Sequence, residues 1–169
     1  GASLAIIAVE QIVYLRGFGQ ARPGGEAPTA QTPFFIGSLT KSFTALAVMQ
    51  LVEAGRIELD APVQRYLPWF RAQMKDSQAP AQVTVRHLLN QTSGLPLWPS
   101  EIAMADFDDR ADATERQVRA LSTLKITRPA GSQCEYSNFN YNVLGLVIES
   151  TSGDSYAGYI QNHIFDPLD

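Results

Sequence analysis

The chain has 169 residues, 45% of them hydrophobic and 18% charged, which is enough apolar material for a core of ordinary domain size and too much for a disordered tail. Thirteen Lys+Arg against 17 Asp+Glu leave a formal charge of -4 with no basic run that could neutralise a row of phosphates, so nucleic acid is not an expected partner. The longest uncharged apolar stretch, Ser42 to Val52, is far short of the roughly 20 residues that span a bilayer, and no membrane span is expected. One cysteine, Cys134, excludes an internal disulfide framework, and two histidines without cysteine partners argue against a structural zinc site; no metal and no cofactor is expected.

Gly1 runs directly into the strand-like Ser3 to Val9 with no charged leader. Ser3 to Val9 and Ile12 to Phe18 are rich in Ile, Val, Leu and Tyr and are parted by the polar pair Glu10-Gln11, a β-hairpin pattern. Gly19 to Pro33 is Pro- and Gly-rich and reads as a loop. Thr40 to Ala54 is apolar almost all round, through Phe43, Leu46, Ala47, Met49, Leu51 and Val52. It predicts a buried helix with Gly55 at its C-terminal cap.

After a Pro-bounded stretch near Asp60 to Trp69 and a polar stretch from Arg71 to Gln82, Thr84 can cap a short helix through Arg86 to Leu89, closed by Gly94 and Pro96. Asp106, Asp108, Asp109 and Asp112 form an acidic run whose spacing does not fit an EF-hand and which reads as a solvated loop and helix start. Thr114 to Leu124 and Asn138 to Ser152 read as further helices, the second closed by Gly153. The final residues stop just after a helical pattern and Pro167, and both ends of the chain read as incomplete.

The chemistry concentrates at Ser38 and Lys41. Ser38 enters the first helix and Lys41 follows three residues on, so both side chains project from one face of the first turn and their heads can meet. A lysine there faces the positive end of the helix dipole at the start of an apolar element. Burial and dipole both disfavour the ammonium form, which predicts an amine able to act as a base beside a nucleophilic hydroxyl. The alternative is structural, Ser38 capping the helix while Lys41 snorkels to water. A second constellation, Tyr136-Ser137-Asn138, follows the Pro129-Ala-Gly131 turn. Its own structural alternatives are a half-buried aromatic at 136 and a helix cap at 138.

Ser38-x-x-Lys41 followed by Tyr136-x-Asn138 resembles the serine β-lactamase and penicillin-binding protein superfamily. Further matches are Leu-Leu-Asn-Gln-Thr-Ser-Gly-Leu-Pro over Leu88 to Pro96, Pro129-Ala-Gly131, Tyr136 to Gly145, and the closing Ile-Phe-Asp-Pro-Leu, so the resemblance covers essentially the whole chain. The tyrosine of the second motif resembles the class C β-lactamase, DD-peptidase and esterase branch rather than class A.

The resemblance implies Ser38 as acylated nucleophile and Lys41 as acceptor or relay of its proton. Tyr136 would be a partner in proton transfer, and Asn138 would orient Lys41 and the substrate. The Ser38 backbone N–H would supply half of an oxyanion hole. Which of Lys41 and Tyr136 is the base stays open, and the pair can titrate as a unit. The family's third motif, Lys-Thr-Gly or His-x-Gly, is not found here, so this stretch by itself is expected to be inactive or weakly active. The resemblance also implies an extracytoplasmic location, periplasmic or secreted.

Among the other candidates, His87 and His163 read as structural, and Cys134 carries no nucleophile signature. Trp98, beside two prolines, is the best candidate for a substrate-binding cleft wall. The expected fold class is α+β and β-lactamase/transpeptidase-like, with two N-terminal strands of an antiparallel sheet in residues 1–33, a mainly helical subdomain in 34–169 and the rest of the sheet missing. The expected function is hydrolysis of an amide or ester bond, in a β-lactam, a D-amino-acid peptide or a small ester, through an acyl-enzyme on Ser38. The alternative is a non-catalytic penicillin-binding sensor or an inactive binding module.

Overall fold

A computed structural model describes residues 1–75, 81–97, 110, 112–121, 125–126 and 128–168, and the chain divides into two compact units, Gly1–Gly37 and Ser38–Asp169. In the first, β1 (Ala2–Ala8) pairs antiparallel with β2 (Gln11–Phe18). The turn is Val9-Glu10, one residue earlier than the polarity of Glu10-Gln11 suggests, because Ala8 pairs with Gln11 and leaves only two residues to close the loop. Both adopt left-handed backbone, φ 48° and 63°, the geometry that matches the twist of a tight hairpin. Between Ile6↔Tyr14 and Ile7↔Ile12 the register shifts, and Val13 is the extra residue.

The second unit is built on helices. Its first, α1 (Thr40–Glu53), buries Thr44, Ala47, Val48 and Leu51, an i, i+3, i+4, i+7 stripe. The expectation of a helix buried all round is corrected here: Leu46 and Met49 are exposed, because α1 packs through that stripe and the flanking Phe43 and Val52, leaving the opposite face uncovered. The chain leaves α1 with Gly55 in the left-handed region, and the amides of Gly55 and Arg56 close on the carbonyls of Val52 and Leu51.

Two short strands have no counterpart in the sequence expectation: β3 (Gln73–Met74), inside the polar stretch, and its parallel partner β4 (Lys125–Ile126), just past the expected third helix. Between them lie α2 (Val85–Leu89) and α3 (Ala113–Leu121). Thr84 caps α2 as expected, and His87 completes the cap: its amide donates to Thr84 Oγ1 and its Nδ1 accepts from the Thr84 amide, which places His87 in a structural role. The helix ends at Asn90, earlier than Gly94 and Pro96 suggest, because Gln91 turns into the left-handed region. Residues 122–124, expected at the end of α3, lie outside the described residues, as do Asp106, Asp108 and Asp109; Asp112 pairs with Arg116 across the start of α3.

The central element is α4 (Asn138–Ser152), with eight buried residues from Phe139 to Ile148, closed by Gly153 as its spacing predicts. Around it gather α1, α2, α3 and the terminal α5 (Tyr156–Ile160), which runs on into a π-turn over Gln161–Phe165. Val48, Val63, Phe70, Val83, Leu88, Leu95, Ile126, Phe139, Leu144 and Ile148 are fully enclosed. No helix among the described residues is long and apolar enough to cross a membrane.

Gly94 locks the segment after α2 against the strand side of the core. Its φ is +80°, and a Cβ there would stand 2.5 Å from the Arg128 carbonyl oxygen. Both faults act together, so Gly94→Ala is expected to lower unfolding stability by about 2–3 kcal/mol in denaturant titration.

Candidate active site

Ser38 sits in a short 3-10 turn, Gly37–Leu39, that leads into α1. The helix takes no side-chain cap there, so the Ser38 hydroxyl is not spent on capping. Its Oγ lies 2.7 Å from Tyr136 Oη. One helical turn on, Lys41 Nζ donates to Ser38 Oγ at 3.2 Å and to Asn138 Oδ1 at 2.8 Å. Asn138 is the first residue of α4 rather than its cap, and its amide oxygen faces the lysine. Four of the five residues singled out from sequence thus meet at one point. Trp98, the fifth, lies outside the described residues.

The site is open. Ser38 is exposed, Tyr136 is 45% exposed, and Lys41 and Asn138 are partly buried, so Lys41 is less enclosed than its place on an apolar helix suggests. Lys41, and then the bonded Ser38 hydroxyl, hold the Tyr136 phenol below its ordinary value against the opposing effect of burial. A positive charge beside the ring and a hydroxyl donor at Oη both favour the phenolate. The cation also stacks, Nζ lying 4.9 Å from the centre of the Tyr136 ring. Beside Lys41, between α1 and α4, opens a cavity of about 230 Å³ whose lining includes Thr40, Thr44, Asn138, Tyr141 and Glu149.

The segment Leu88 to Pro96 holds the Tyr136 loop. The Gln91 carbonyl accepts from the Glu135 amide at 2.8 Å, and Gln91 Oε1 accepts from the Ser137 amide at 2.9 Å, so one residue grips the chain on both sides of Tyr136. The same Oε1 accepts from Asn140 Nδ2 at 2.5 Å, and Ser93 Oγ donates to Asn140 Oδ1 at 2.5 Å. Ser137 Oγ donates to the Pro96 carbonyl at 2.7 Å. Ser93, Ser137 and Asn140 are buried, and every bond among them satisfies a group that would otherwise be costly to enclose. Gln91 pays for this grip with a left-handed backbone, φ 60°, at a non-glycine residue. The sequence marks this segment only as a helix stop and a family match; the further signal is a run of small polar residues between Leu89, packed against the core, and the buried Leu95.

The other candidates are placed elsewhere. His163 stacks on Tyr159, ring centres 4.3 Å apart, and approaches Asp154 at 3.8 Å on an exposed surface. Cys134 is a free, exposed thiol.

A Beta-lactamase family model matches residues 1–169, and the chain belongs to that family. It is 36% identical over 177 residues to Esterase EstB of Burkholderia gladioli, covering 98% of this chain and 45% of the esterase. Among solved structures it is similar to FmtA from Staphylococcus aureus (TM-score 0.80, 31% identity, 98% of this chain and 44% of that one). It is also similar to the D-amino acid amidase from Ochrobactrum anthropi SV3 (TM-score 0.78, 30% identity, 98% and 44%). The mixed helix and strand architecture is thus of the β-lactamase/transpeptidase type. The chain spans between a third and a half of the length of the curated relatives it matches.

Two outcomes follow from the geometry. Lys41→Met is expected to move the Tyr136 phenol up toward its ordinary value, read from the ζ-carbon NMR shift of labelled tyrosine through an alkaline titration. Gln91→Ala leaves the Ser137 amide and the Asn140 side chain short of an acceptor and is expected to cost about 2 kcal/mol of stability in denaturant titration, while Gln91→Glu, which keeps an acceptor oxygen, recovers most of it.

Proposed function

We propose that the protein is a serine hydrolase that cleaves an amide or ester bond through an acyl-enzyme on Ser38. The observation that carries this reading is the contact of three heads, Ser38 Oγ with Tyr136 Oη at 2.7 Å, 98 positions away, and with Lys41 Nζ at 3.2 Å, one helical turn on. A hydroxyl whose neighbours are a phenol of lowered pKa and an ammonium is placed for proton transfer as it attacks.

In this reading the Tyr136 phenolate, held by Lys41, takes the proton from Ser38 Oγ as that oxygen bonds to the substrate carbonyl carbon. The tetrahedral oxyanion accepts from the Ser38 amide. Collapse breaks the bond to the leaving amine or alcohol, which recovers its proton from Tyr136, and an ester remains on Ser38. Water then attacks that ester, gives its proton to Tyr136, and frees the acid as the proton returns to Ser38. The shorter contact and the lowered phenol pKa favour Tyr136 over Lys41 as the base. Asn138 Oδ1 accepts the second hydrogen bond of Lys41 and so orients it toward the nucleophile.

The substrate class proposed is an acyl compound with an exposed carbonyl, such as a β-lactam, a D-amino-acid amide or peptide, or a small ester. It is supported by an esterase and a D-amino acid amidase among the similar proteins. An extracytoplasmic location is part of the same proposal.

Labelling with a fluorophosphonate or a tagged penicillin, followed by mass spectrometry of the modified peptide, tests this reading. Adduct formation at Ser38 is expected, slowed at least about a thousandfold in Lys41→Ala with stability changed by less than about 1 kcal/mol. Labelling at another residue, or an unchanged rate in Lys41→Ala, would refute it. A stable adduct without turnover of any ester or amide would instead favour a sensor.

A further inference from the structure

Lys41 has a neighbour that the acyl-transfer scheme does not use. Tyr141 lies three residues after Asn138 on α4, on the same helix face, and its ring centre is 5.6 Å from Lys41 Nζ. The ammonium therefore lies within reach of two aromatic rings, Tyr136 at 4.9 Å and Tyr141 at 5.6 Å. We propose that Tyr141 is a positioning residue whose ring face keeps the Lys41 ammonium on the Ser38 and Tyr136 hydroxyls.

Three observations carry this. Tyr141 is itself fixed, its hydroxyl donating to the Leu89 carbonyl at 3.2 Å, so the ring is tethered to the α2 segment that also grips the Tyr136 loop. The two tyrosines are tuned in opposite senses. Tyr136 is held low, whereas burial, and then the neighbouring Tyr136, push the Tyr141 phenol up, so Tyr141 stays neutral and acts through its ring. Lys41 also borders the cavity between α1 and α4, and an aromatic face holds the cation at that edge without offering a competing acceptor.

The titratable groups around Lys41 are Tyr136 from the loop, Tyr141 and Glu149 from α4, and Tyr156 from α5, whose hydroxyl is bonded to Thr44. The importance of Tyr141 to the reaction rests on the acyl-transfer reading; its hold on Lys41 does not.

The test uses the full chain with Tyr141 replaced by Phe, and by trifluorophenylalanine, which keeps the ring's shape while weakening its negative face. The readout is the titration midpoint of the Tyr136 phenol, followed by carbon-labelled tyrosine NMR, together with the rate of Ser38 acylation by a fluorophosphonate. Both replacements lack the hydroxyl tether, so the ring effect is read between them: relative to Tyr141→Phe, the fluorinated ring is expected to raise the midpoint by about half a pH unit and to slow acylation about threefold. An unmoved midpoint with the fluorinated ring would overturn the inference, as would an equal shift with plain Phe, which would assign the effect to the hydroxyl. A moved midpoint with an unchanged acylation rate would overturn the role in the reaction. Absence of Ser38 labelling in the unmodified protein would count against the hydrolase reading and leave the titration as the test of Lys41 placement.

Discussion

Everything at the candidate site turns on one ammonium. Lys41 Nζ joins the first turn of α1 to the first residue of α4 by donating to Ser38 Oγ and Asn138 Oδ1, and it lies beside two aromatic rings. Its charge biases the Tyr136 phenol toward its anionic form, and that phenol touches the Ser38 hydroxyl. Remove the cation and three things go together: the bridge between the helices' entry turns, the bias on the phenol, and the proton route from the serine. A side chain at the start of α1 is suited to this because the backbone there is fixed by packing along the Thr44, Ala47, Val48 and Leu51 stripe.

The packing behind the site explains how an open cleft keeps its geometry. The Tyr136 loop has no regular secondary structure, yet its amides on both sides of Tyr136 end on one residue, Gln91, and its hydroxyls and amides continue into Ser93, Asn140 and Pro96. A loop held by a buried polar network has few alternative arrangements, because moving any member leaves a neighbour unsatisfied. The strained backbone of Gln91 sits where that network converges, as strain commonly does beside functional groups.

Much of this was legible in the sequence, for identifiable reasons. The bounds of α4 follow from its apolar spacing and Gly153, and the cap of α2 from Thr84, since both are local signals. The meeting of Ser38 with Lys41 follows from helical spacing alone, but the approach of Tyr136 across 98 positions needed the family resemblance. What stayed hidden was set by tertiary context. The exposure of Leu46 and Met49 depends on which face of α1 its neighbours cover, the two-residue strands on a pairing between distant segments, and the grip of Gln91 on a left-handed turn that a glutamine does not advertise. Tyr141 was hidden for another reason: an aromatic at that helical spacing reads equally well as core.

The hairpin turn carries a consequence for protein engineering. Val9 and Glu10 both occupy backbone conformations that β-branched and long side chains disfavour, and the Val9 side chain, 96% exposed, gains almost no packing in return. An Asn-Gly pair fits that same two-residue geometry without strain. The loop is therefore a site where a designed replacement can make the N-terminal ribbon sturdier.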